Sequence, residues 1–83
     1  MKRKSVKVDQ YEVCELAVRE MMPIMRMMGE DSEEGQLHLI GAAVKIDGKA
    51  IGYEAVEELG MRDYMKLVAA VTDVNGLDDL GND

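Results

Sequence analysis

The chain has no phenylalanine and no tryptophan, and three tyrosines are its only aromatic side chains. It has a single cysteine, Cys14, which excludes an internal disulfide. No apolar run approaches the roughly 18 residues that a membrane-spanning helix needs. The opening MKRKSVKV carries charge without a following apolar stretch, so it is not a secretory signal. Basic residues are scarce beyond that opening: Lys2, Arg3, Lys4 and Lys7 are four of only ten, against seventeen acidic ones. Removing those four charges from the net -7 leaves -11 on the remainder, which repels phosphate backbones and anionic headgroups and argues against nucleic-acid or membrane partners. These features together read as a reduced, cytoplasmic chain.

Against these absences stand eight methionines in 83 residues. Methionine packs adaptably but specifies a unique core less sharply than branched side chains do, a first hint of a surface that accommodates a partner. A chain this short has room for one small core, which excludes an enzyme with separate cofactor and substrate domains.

The pattern along the chain predicts a small α+β domain over residues 1–77, with residues 78–83 as an acidic flexible tail. Residues 5–15 form a β-hairpin if Asp9 and Gln10 make its turn. Val8 then faces Tyr11 and Val6 faces Val13 on one side, while Lys7 faces Glu12 on the other. From Ala17 to Met28 the period becomes helical. Val18, Met21, Met22, Met25 and Met28 make one stripe, Ala17, Ile24 and Met27 widen it, and Arg19, Pro23 and Arg26 form the polar side. Pro23 is expected to kink this helix and Gly29 to end it. A second helix, entered from an acidic loop with Asp31 or Ser32 as its N-cap, runs to about Ala43, with Leu37, Ile40 and Val44 as its apolar face. Gly35 and Gly41 each cost it about 1 kcal/mol relative to alanine. Asp47-Gly48 signals a second short hairpin. Tyr53 to Leu59 makes a short helix closed by Gly60, and Arg62 to Asn75 makes a last one, stopped at Gly76, for three or four helices in all.

Catalytic and ligand-binding chemistry is hard to assemble from these residues. His38, the only histidine, reads as a solvated helix residue or a local partner of Glu34. Cys14 lies between Glu12 and Glu15, which raise a thiol pKa rather than lower it. The segment beginning Asp73-Val74-Asn75 fails as a calcium loop, because Leu77 occupies the fifth position. No glycine pattern cradles a nucleotide phosphate. The expectation is no enzyme, no cofactor and no metal.

What remains is the methionine-rich helix. Its stripe reads first as core, but one buried stripe does not need Ile24 and Met27 as well. The surplus points to an apolar shoulder that receives a partner helix, made by Met22, Ile24, Met25, Met27 and Met28 with Arg19 and Arg26 at the rim. Acidic surroundings favour a partner with basic flanks. Replacing Met25 and Met27 by glutamate abolishes capture if they are exposed and unfolds the domain if they are core.

A charged β-hairpin, then E-L-A-V-R-E (Glu15 to Glu20), an acidic linker, I-D-G-K (Ile46 to Lys49) and a closing R-D-Y-M-K-L...V-N-G-L (Arg62 to Leu77) follow one another. This order resembles the small tail assembly chaperones of Mu-like and related long-tailed phages. In that family the first motif usually carries threonine as the helix cap where this chain has Ala17, and the closing helix often follows Ser or Asp where this chain has Gly60-Met61. The resemblance implies a non-enzymatic protein that holds the tape-measure protein soluble while tail-tube subunits polymerise around it. It also implies a longer product made by translational frameshifting, which would join near Asp78 to Asp83. A different class stands beside it: an acidic inhibitor or antitoxin-like module masking a basic partner surface. The sequence leaves a homo-oligomer open.

Overall fold

A computed structural model describes residues 3–77. The expected acidic tail, 78–83, lies outside the described residues. Within them the chain runs β1 (Ser5–Val8), β2 (Tyr11–Cys14), α1 (Val18–Glu30), α2 (Ser32–Ala43), β3 (Val44–Ile46), β4 (Lys49–Ala50), α3 (Tyr53–Glu57) and α4 (Met61–Val74). This is a small α+β fold with a four-stranded antiparallel sheet and four helices.

The first hairpin has the expected register, with Val8 opposite Tyr11, Val6 opposite Val13, Lys7 opposite Glu12 and Ser5 opposite Cys14. Its turn has no glycine, and Asp9 itself takes the left-handed conformation at φ 55°, which aspartate tolerates better than most residues. The second hairpin turns on Asp47 and Gly48, at φ 53° and 80°, the positive pair that a tight two-residue turn demands.

The two hairpins join into one sheet in the order β1-β2-β3-β4, with α1 and α2 inserted between β2 and β3. Pairing of Glu12 with Lys45 and of Val13 with Val44 extends both rows. One face therefore carries Lys7, Glu12 and Lys45 side by side, so a carboxylate sits between two ammonium groups. The other carries Val6, Val13 and Val44, and the last two are fully buried. The core beneath it comprises Tyr11, Val13, Ile24, Leu39, Ile40, Ala43, Val44, Val56, Leu67, Val71 and Val74. Leu67, Val71 and Val74 recur at i, i+4 and i+7 on α4, as its sequence period requires.

Two glycines that look costly in the sequence set the packing. A β-carbon at Gly35 would lie 2.7 Å from both Cα and N of Met28, so α1 and α2 meet here backbone to side. One at Gly41 would lie 2.7 Å from the carbonyl carbon of Gly52 and 2.9 Å from the nitrogen of Tyr53. There the Gly52 N–H donates to the Gly41 carbonyl at 3.0 Å, fixing the start of α3 against α2.

Gly29 does not end α1, which continues to Glu30. Asp31 is the joint instead. Its N–H closes α1 on the Met27 carbonyl at 2.8 Å, and its carboxylate accepts from the Glu34 N–H at 3.2 Å to cap α2. A residue that can serve both helix ends makes a separate glycine stop unnecessary. Helix α3 stops at Glu57, two residues short of Leu59, and α4 starts one residue before Arg62, at Met61 behind Gly60. Gly76 follows α4 at φ 69°, the left-handed stop expected of it.

Candidate functional site

Helix α1 starts without a side-chain cap, because Ala17 has none to give. Glu20 takes over half of that task by accepting from the Ala17 N–H at 2.8 Å, and it also meets Arg3 at 3.0 Å. The Ala17 hydrogen bond holds the Glu20 carboxyl below its ordinary value, against the cost of burial and with a lesser contribution from Arg3.

The face that α1 turns inward differs from the one its methionines suggest. Ile24 is 8% exposed and belongs to the core, with Met21 and Met28 half-buried on either side at i-3 and i+4. Val18, Met22 and Met25 are 75%, 49% and 50% exposed. At 100° per residue this is roughly a quarter turn from a stripe centred on Val18, Met22 and Met25. The Gly35 contact agrees with this orientation, as does the exposed Arg19, Pro23 and Arg26 stripe on the opposite side. That contact sets Met28 against α2, and the positions one and two turns earlier, Ile24 and Met21, point the same way. Ile24 is thus removed from the expected contact surface, Met27 and Met28 are half-buried, and Met22 and Met25 remain. Arg19, Pro23 and Arg26 are exposed, as the helix pattern required.

Val18, Met22 and Met25 recur at i, i+4 and i+7 and line a shallow cleft of about 230 Å³ with Leu16, Met21 and Leu77, bordered by Glu15 and Asn75. Asn75 organises that cleft. Its Oδ1 accepts from the Leu16 N–H at 2.7 Å, and its Nδ2 donates to the carbonyls of Val71 at 3.0 Å and Cys14 at 3.3 Å. One amide thereby ties the end of α4 to the passage from β2 into α1. The sequence marks Asn75 only as a helix stop and gives no sign of this bridge.

The other singled-out residues lie apart from this face. His38 Nε2 is 3.9 Å from Glu34, and its ring sits 4.6 Å from that of Tyr53. The Tyr53 hydroxyl donates to Glu34 at 3.0 Å, and that bond, with smaller contributions from burial and from Glu34 and Glu57 charge, pushes its pKa up to about 12. The Cys14 thiol is raised, first by burial and then by Glu12, despite weaker opposing pulls from Lys45 and Arg3. Among the described residues no group of three or more His, Cys, Asp or Glu is placed to hold a metal ion, and no helix is long and apolar enough to cross a membrane.

No protein-family model, curated protein or solved structure matches the chain.

Proposed function

We propose that the chain is a non-enzymatic tail assembly chaperone of the host cytoplasm, which captures the tape-measure protein or tail-tube subunit through the α1 face formed by Val18, Met22 and Met25. The observation that carries this reading is the placement of methionine. Of the seven in the described residues, Met21, Met22, Met25, Met27, Met28, Met61 and Met65, none enters the buried core, and four are largely exposed. Flexible, polarisable side chains held in solvent suit a surface that must repack against a long helical partner. Arg19 and Arg26 border the face and contribute register more than affinity.

The test is co-expression of the tagged chain with the products of its neighbouring genes, with capture at low and high salt. Capture that survives high salt and is lost in Met22→Gln/Met25→Gln supports the reading, because burial of an apolar surface resists screening. Retention of a small basic protein only at low salt, with no tail protein captured, overturns it in favour of the acidic inhibitor.

A further inference from the structure

A second and larger cleft, of about 620 Å³, opens on another side of the molecule, where the end of α1 and the start of α2 face α3 and the first turn of α4. Leu37, Leu59, Met61 and Tyr64 supply much of its apolar surface, and Glu33 and Glu57 stand in its lining. Among the described residues no lysine, arginine or histidine lines it. Neither carboxylate takes part in an ion pair among the described residues. Burial first, and Glu33 second, raise the Tyr64 pKa.

We propose that this cleft is a docking site for an amphipathic helix of a partner protein, one whose leucine- or methionine-like anchors are flanked by lysine or arginine. The apolar surface takes the anchors, in the helix-in-groove manner. The two carboxylates, which hold no ion pair among the described residues, meet the flanking cations. A second copy of this chain is a poor occupant, since a molecule of net charge -7 brings its own carboxylates to an acidic rim. The α1 face differs in kind, being bordered by Arg19 and Arg26, so the two surfaces select different segments. The inference shares with the proposed function only the premise that the chain binds protein.

The probe is a labelled synthetic helix with leucines at i, i+3, i+4 and i+7 and lysines elsewhere, beside a twin with glutamate for lysine, followed by fluorescence anisotropy on the full chain. The lysine peptide should bind and the glutamate twin should not. Glu57→Lys should weaken binding about threefold to tenfold, whereas Asp73→Lys, an equal charge change at the far end of α4, should weaken it less than about twofold. Met61→Gln, at a residue 70% exposed and therefore not needed for folding, should weaken it further. Met22→Gln/Met25→Gln should leave it unchanged, although the same variant abolishes tail-protein capture if the α1 reading is right. Equal losses from Glu57→Lys and Asp73→Lys would reduce the cleft to a non-specific charge effect and overturn the proposal. So would binding of the twin, or loss of binding only in the α1 variant.

Discussion

Gly29 and Gly35 lie six residues apart, both inside helices, and their replacement by alanine should act in opposite directions. At each site alanine gains up to about 1 kcal/mol from helix propensity and from reduced freedom in the unfolded chain. At Gly29 nothing lies within 4 Å of the added methyl and φ is not positive, so that gain is kept. At Gly35 the methyl meets the backbone of Met28 at 2.7 Å, well inside contact distance, and backbone cannot swing aside as a side-chain tip can. Overpacking of this kind costs about 1 to 3 kcal/mol. The net expectation is therefore a gain of roughly 0.5 to 1 kcal/mol for Gly29→Ala and a loss of about 1 to 2 kcal/mol for Gly35→Ala. For a domain of this size each 1 kcal/mol moves the melting temperature by about 4 to 8 °C, so calorimetry or urea unfolding resolves both. The sign at Gly29 also tests where α1 ends, since a glycine stop in the left-handed region would make alanine destabilising there. A stabilised Gly35→Ala would refute the close approach of α1 to α2 at this glycine.

Ile24→Ala should cost about 2 to 4 kcal/mol in urea unfolding and Met25→Ala less than about 1, because one side chain is core and the other is half in solvent; equal losses would put α1 in the orientation its methionines suggest. Asn75→Ala leaves the Leu16 N–H and the Cys14 carbonyl without their partner and should cost about 1 to 3 kcal/mol, with faster hydrogen exchange at Leu16 as the local readout. The Tyr53–Glu34 bond favours neutral tyrosine, so its contribution to stability is complete below the ordinary value of 10.0 and is lost as pH rises through about 12. A tyrosinate absorbance titration should accordingly lose a late component in Tyr53→Phe, and an unchanged curve would count against the bond.

Local signals carried most of the fold. Both hairpins were legible because cross-strand pairing and turn chemistry act over a few residues: Lys7 opposite Glu12 and the Asp47-Gly48 pair need no knowledge of the rest of the chain. The period of α4 and its stop at Gly76 were legible, but the apolar face of α2 was not: Leu39 is buried beside Ile40 while Leu37 is half-buried, and Val44 belongs to β3. What the sequence hid is long-range. Joining of the hairpins through Val13 and Val44 depends on α1 and α2 folding back between them, and nothing near either strand announces it. The same holds for the candidate site. A methionine helix with an apolar arc much wider than one core stripe was plain, and the part that faces inward is the one opposite Arg19, Pro23 and Arg26, where Met28 packs on Gly35 beyond the end of the helix. A glycine inside a helix costs propensity but also permits a close approach, and Gly35 does the second. Asn75 was missed for a similar reason, since its role as a helix stop concealed its bonds to residues about sixty positions away.

The separation of side-chain types bears on why so acidic a small protein carries so much exposed methionine. The buried set is made of valine, isoleucine, leucine, alanine and one tyrosine, residues with few rotamers that define a single packing. Methionine, whose flexibility would blur a small core, is kept at its margin or in solvent. Such a surface invites self-association, because exposed apolar patches on identical copies meet as readily as those on a partner. A net charge of -7 on 83 residues opposes this by mutual repulsion, to which Glu33 and Glu57 add at the cleft they line. A partner with basic flanks meets attraction where a second copy meets repulsion. On the proposed reading the two act together at the Glu33 and Glu57 cleft, where charge favours a basic-flanked partner and flexible side chains adapt to it.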